Sequence, residues 1–155
     1  MHILCLFFDY CCPVWANVSN SELSKIKSIQ KRAAKIILKK SNGNSAVFLF
    51  NELKWLSFKN RLNYHIGVIT YKILNGHTPN YMCSLISVSH NTSYNLRSST
   101  NHNLAILKRP KTNHLQNTFG YSSRMVWNGI PLNIKKSSSI NAFKAKFKLF
   151  LQNSQ

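Results

Sequence analysis

The sequence is short of acid. Asp9, Glu22 and Glu52 are the only carboxylate side chains in 155 residues. Two-metal nucleotidyl transfer needs clustered oxygen ligands to hold each divalent ion. Paired-carboxylate hydrolysis needs two acids at one site. Three acids, each isolated in the sequence, argue against both chemistries. Glycine is scarce as well. The five glycines stand apart, so no Gly-rich phosphate loop exists. There is no G-x-S-x-G elbow, and no acid is placed to orient a histidine, which leaves a serine or cysteine nucleophile with little support. No stretch approaches the ~18 apolar residues of a membrane span.

Cysteine is sparse and unpatterned. Cys5, Cys11, Cys12 and Cys83 make no C-x-x-C pair, and a zinc site usually shows two- or four-residue spacings. The expectation is reduced core cysteines in an intracellular protein. His2, His65, His77, His90, His102 and His114 are scattered singly, without an H-E-x-x-H motif or a Cys/His knuckle. Neither metal nor cofactor is expected. The N-terminal run from Met1 to Phe8 is short, ends in Asp9 and lacks a basic n-region, so a signal peptide is not expected.

What the chain does have is positive charge. Lys and Arg number 21, for a net charge of +18, and the apolar fraction of 44% is enough for a core. So much charge of one sign on a small domain repels itself. A polyanion relieves that repulsion, because each cation near a phosphate releases condensed counterions. RNA or DNA is the leading partner, and an anionic membrane surface is the rival.

The pattern of apolar residues is helical almost throughout. Residues 2–15 read as a buried helix closed by a turn at Pro13. Ser19-x-x-Glu22 matches a capping box, followed by a helix over about 21–40 that stops at Asn42-Gly43. Its apolar face is Leu23, Ile26, Ile29, Ala33, Ile36 and Ile37; Lys27, Lys31, Lys35 and Lys39 recur on the other. A short helix is expected within 45–56. Ser57 then caps a helix over about 58–75, which is apolar on more than one side and therefore central. Asn75-Gly76 ends it, and Pro79 opens a short helical turn around Tyr81 to Ile86. Residues 87–117 are rich in Ser, Asn, Thr and His and read as a long polar connection. Thr118 caps a helix over 119–128, which stops at Gly129 and Pro131. A Ser137–Ser139 hinge leads into a last helix over about 140–152, with Ile140, Phe143, Phe147, Phe150 and Leu151 on one stripe.

The sharpest functional feature is the lysine row. Like charges at i,i+4 cost a helix roughly 0.2–0.5 kcal/mol per pair. Lys25 and Arg32 widen the row, and no acid interrupts it. Lysine is a mobile point charge, suited to phosphates rather than to reading bases. Lys108, Arg109 and Lys111, beside Pro110, make a second candidate phosphate contact. Arg97 reads as a structural hydrogen-bond fork. Trp15, Trp55, Trp127, Tyr71, Tyr81 and Tyr121 could stack bases, but their helical spacing with aliphatics favours core packing.

Several phrases also form an ordered series. They are Tyr10-Cys-Cys-Pro-Val-Trp15, Ile29-Gln-Lys-Arg-Ala-Ala-Lys-Ile-Ile37, Tyr71-Lys-Ile-Leu-Asn-Gly76 with Pro79-Asn-Tyr81, and Tyr94-Asn-Leu-Arg-Ser-Ser99. Phe119-Gly-Tyr121, Val126-Trp-Asn-Gly-Ile-Pro131 and Ile134 to Lys144 complete it. From about Tyr10 to Leu151 the series resembles the region after the polymerase palm in jockey-like and chicken-repeat-like LINE (non-LTR retrotransposon) reverse transcriptases. The resemblance implies a parent that performs RNA-directed DNA synthesis at a nicked genomic target, in nucleus and cytoplasm. It covers neither the endonuclease nor the Asp-Asp metal motif, so no catalytic residue carries over. It implies a chain truncated at its N-terminus, with Met1 an internal start.

The expectation is therefore a single mainly α domain over 1–155, about six helices in a small bundle with one long polar connection. Its helical N-terminal half is 1–86, the connection 87–117, and its C-terminal helices 118–155. The expected role is a thumb-like, non-catalytic grip on the template–primer backbone. Its partners would be RNA or DNA and the parent's palm, with no membrane and no small-molecule substrate. Two other readings stand beside it. One is an inactive remnant that only packs against a missing polymerase domain. The other is a stand-alone basic RNA-binding protein.

Overall fold

The computed structural model describes residues 9–10, 19–40, 43, 45–86, 102–104, 112, 116 and 118–154. Among the described residues the protein is mainly α. The helices are α1 (Asn20–Leu38), α2 (Ala46–Glu52), α3 (Phe58–Leu74), α4 (Asn80–Cys83), α5 (Phe119–Asn128), α6 (Leu132–Lys135) and α7 (Ile140–Asn153), and no strand accompanies them. Apart from Asp9 and Tyr10, the helix expected over 2–15 lies outside these residues, as does most of the polar connection expected over 87–117. The chain divides into two compact units, Met1–Tyr64 with Lys148–Gln155, and His65–Phe147.

In the first unit, the Ser19 hydroxyl caps α1 by accepting from the Glu22 N–H at 3.4 Å. The Glu22 carboxylate does not return the bond as a capping box would; it pairs with Lys25 at 3.0 Å. The helix also stops earlier than Asn42-Gly43. Lys39 turns left-handed (φ 50°, ψ 36°), its N–H bonds Ile36 O, and the Lys40 N–H reaches Lys35 O. These bonds satisfy carbonyls that the helix end would otherwise leave bare.

The buried face of α1 differs from the one expected. Gln30 and Ala34 are buried, with Leu23, Ile26 and Leu38 partly covered, whereas Ile29 and Ile36 are 56% and 71% exposed. The physical reason lies in Gln30. Its amide donates to Leu56 O at 2.8 Å, and its carbonyl oxygen accepts the Phe58 N–H at 3.0 Å. Both peptide groups belong to the turn that α3 grows from, where buried backbone polar groups need partners. Four residues on, Ala34 packs in a cluster with Leu49, Phe50 and Trp55, and its small side chain admits α2 closely. The seam is thus set by an amide and a methyl rather than by the bulkiest apolar side chains. Leu23 and Ile26 complete it against Phe58 and Leu62. From α7, Leu151 O accepts from the Asn60 amide at 2.9 Å.

In the second unit, the part of α3 from Ile66 onward is buried on several sides: Ile66, Gly67, Val68, Thr70, Tyr71 and Ile73 are all covered. Phe143 of α7 is wholly buried. Its ring stacks on Tyr71 (4.3 Å between centroids) and on Trp127 (6.0 Å), and it meets Phe147 at 5.4 Å. The Tyr71 hydroxyl donates to Ser137 O at 2.7 Å, so the Ser-rich hinge is tied to α3. Ser139 caps α7 by accepting from the Ala142 N–H. Thr118 sits at the start of α5, but its side chain makes no cap bond to the helix. The four-residue turn α6, directly after Pro131, falls where the sequence predicts only a stop and a hinge.

Gly67 allows the close approach of α7. A Cβ there would lie 2.4 Å from Cε1 of the Phe147 ring, and that ring is 1% exposed. Gly67→Ala should therefore lower stability by about 1–3 kcal/mol through overpacking, read as a lower urea midpoint at constant m-value. An unchanged midpoint would mean that the ring swings aside at no cost.

Residues 102–104 are held by α5 and α6. The Trp127 indole donates to His102 O at 2.8 Å. The Asn128 amide accepts the Leu104 N–H at 2.8 Å and donates to Leu104 O at 2.9 Å. Lys135 donates to the Asn103 side chain at 2.7 Å.

Candidate nucleic-acid interface

Charge in this protein is arranged by where its three acids go. Glu22 takes Lys25 at 3.0 Å, Glu52 takes Lys40 at 2.7 Å, and Asp9 takes Arg61 at 2.5 Å. Lys40 also lies over the Phe48 ring at 4.3 Å. Burial, and then the Asp9 charge, push the Tyr64 phenol above its ordinary range, because both disfavour a second anion there. Among the described residues, then, every acid is committed to a cation other than Lys27, Lys31, Arg32 and Lys39.

Those cations lie on α1 and at its end. Lys27, Arg32 and Lys39 are exposed, and Lys31 and Lys35 are half-buried. Lys25 is exposed too, but shares its charge with Glu22. The row does not stand opposite the buried seam, as expected from the sequence. Each lysine directly follows a seam position: Lys27 follows Ile26, Lys31 follows Gln30, Lys35 follows Ala34 and Lys39 follows Leu38. One residue is about 100° of helical rotation, so the row runs along the flank of the seam. That accounts for the half-buried state of Lys31 and Lys35, since a long side chain on the flank lays its methylenes along the fold. Successive lysines rise about 6 Å along the axis, and the row spans about 18 Å. Lys108, Arg109 and Lys111 lie outside the described residues, as does Arg97.

Other expected residues fall elsewhere. Trp55, Trp127 and Tyr71 are buried in the core, as their spacing predicts. Tyr81 is 72% exposed instead. Cys83 is exposed rather than part of a core, because the four-residue α4 buries none of its side chains. Cys5, Cys11 and Cys12 lie outside the described residues.

Among the described residues, the cations Arg124 and Lys135 are inside the fold, which sequence reasoning missed. Burial pulls the Arg124 guanidinium and the Lys135 ammonium below their ordinary ranges. Arg124 donates to Gly120 O and, at 3.5 Å, to Leu85 O; Lys135 sits over the Trp127 ring at 5.8 Å. Charge count alone cannot separate such structural cations from those left for a ligand.

Among the described residues no group of three His, Cys, Asp or Glu side chains could hold a metal ion, and no helix is long and apolar enough to cross a membrane. The chain matches no family model, no curated protein and no solved structure.

Proposed function

We propose that this protein is a non-catalytic nucleic-acid-binding module that grips a phosphate backbone through α1. The observation that carries the reading is the Lys27–Lys39 flank, with all three acids taken by other cations. The row costs helix stability in isolation, and a line of phosphates offsets that cost by counterion release. The resemblance to the post-palm region of LINE reverse transcriptases supports the same reading. In such a parent the module would contact the template–primer and pack against the polymerase palm, in nucleus or cytoplasm. The chemistry would belong to the parent, and no residue of this chain is assigned to it.

A salt titration of binding to a DNA or RNA duplex tests this. If about five cations meet phosphates, log Kobs against log salt should slope near −4 to −5. Replacing Lys27, Lys31, Arg32 and Lys39 together by Gln should remove roughly three to four units of that slope. A nearly flat titration of the unchanged chain would sink the proposal.

A further inference from the structure

The first unit holds a cleft of about 520 Å³ that the grip on a duplex does not use. Its volume falls within the roughly 300–1,000 Å³ of small-ligand sites. Phe50, Trp55 and Leu149 form its apolar wall, and Asn51, Lys54, Gln152 and Asn153 its polar rim. Leu149 is an aliphatic side chain left 60% exposed on α7.

The rim carries a backbone outlier. Lys54 is held at φ 53°, a region that non-glycine residues rarely occupy and that clusters at functional sites. Two bonds fix it there. Its N–H donates to Asn51 O at 3.1 Å, and its own carbonyl accepts from the Gln152 amide at 3.0 Å. A flexible cation is thus mounted on a rigid turn at the cleft edge. Two helices also end beside it, α2 at Glu52 and α7 at Asn153. The last carbonyls of α2 are already bonded, by the N–H groups of Leu53, Lys54 and Trp55.

We infer that this cleft takes one unpaired nucleotide of a bound strand, with an amino-bearing base such as cytosine against the Trp55–Leu149 wall and its phosphate at Lys54. The parts match that ligand. A base has an apolar face for the wall, and its exocyclic amine is a donor for an amide oxygen of the rim. The exposed Asn153 amide supplies both donors and an acceptor there. A base inside a duplex offers no free face, since it must first leave the stack. The cleft therefore separates single strands from duplexes, which the α1 lysines do not. The inference rests on the α1 reading, because one nucleotide site alone gives weak binding.

The test measures full-length chain binding to a short oligodeoxycytidine strand and to a blunt duplex of the same length. Leu149→Trp fills the cleft from an exposed position, and Asn153→Ala removes a rim amide from another. Leu149→Trp should weaken strand binding about tenfold, the scale of one base contact, and leave duplex binding unchanged. Asn153→Ala should do the same to a smaller extent, and it keeps the test decisive if the larger side chain disturbs folding. Strand binding unmoved by both substitutions, with duplex binding intact, overturns the cleft assignment alone. Equal losses on both ligands overturn it too. Failure of the unchanged chain to bind either ligand overturns the α1 reading, and the cleft falls with it.

Discussion

Phe143→Ala should cost about 3–5 kcal/mol of stability, the range for truncating a fully buried phenylalanine. The ring touches three others, and aromatic pairs add roughly 0.5–1.5 kcal/mol beyond area burial, which places the expectation at the upper end. Tyr71 and Trp127 would face each other across a void. The surroundings relax poorly, because Tyr71 is tied to Ser137 O and Trp127 to His102 O. For a chain of this size the melting temperature should fall by roughly 6–20 °C. Against a typical total of about 5–15 kcal/mol, that removes a large share of the stability. Phe143→Leu, which keeps most of the volume, should cost much less. Similar melting temperatures for both variants would mean that the stacked rings are not the second unit's core.

The second large effect is expected at a polar residue. Gln30→Leu preserves the size and raises the hydrophobicity of a position that is 2% exposed, so simple burial arithmetic makes it favourable. The hydrogen bonds reverse the sign. The substitution strands Leu56 O and the Phe58 N–H, both buried, and each unsatisfied group costs about 1–3 kcal/mol. The net should be a loss of about 2–4 kcal/mol, with α1 loosened from the start of α3. Gln30→Glu should cost at least as much while ionised, because it buries an unpaired carboxylate facing Leu56 O. Chemical denaturation of the three proteins gives the order, and a stabilised Gln30→Leu protein would refute this account of the seam.

Gln30 also marks the limit of what the sequence makes legible. Helix positions were readable because their signals are local. Ser19 before Glu22, Ser57 before Phe58, Asn75-Gly76 after Leu74, and the aromatic stripe of α7 each act within a few residues. The buried side of α1 was not readable. The exposed Ile29, Ile36 and Ile37 outweigh one glutamine and one alanine in any periodic count. Yet the glutamine's partners lie 26 and 28 residues away, and no local pattern contains them. The candidate site was legible to the same degree. The spacing of the lysines is a local fact; their place beside the seam, and the loss of Lys25 to Glu22, depend on packing. The cleft had no signal at all, since its walls come from α2, the turn after it and α7, whose residues are distant in sequence.

Among the described residues, the non-glycine residues at positive φ are Lys39, Lys54 and His102. A left-handed turn normally takes glycine or asparagine, and another residue there costs about 1–2 kcal/mol. Glycine at position 39 would relax the backbone and blunt the end of the cationic flank; at 54 it would relax the turn and strip the cleft of its ammonium. At both places comfort of the backbone and reach toward an anion pull in opposite directions, and lysine stands where the two conflict. A sequence selected for thermal robustness alone would drift away from these lysines. Their persistence or loss in variants of this chain would therefore separate selection for anion binding from selection for folding.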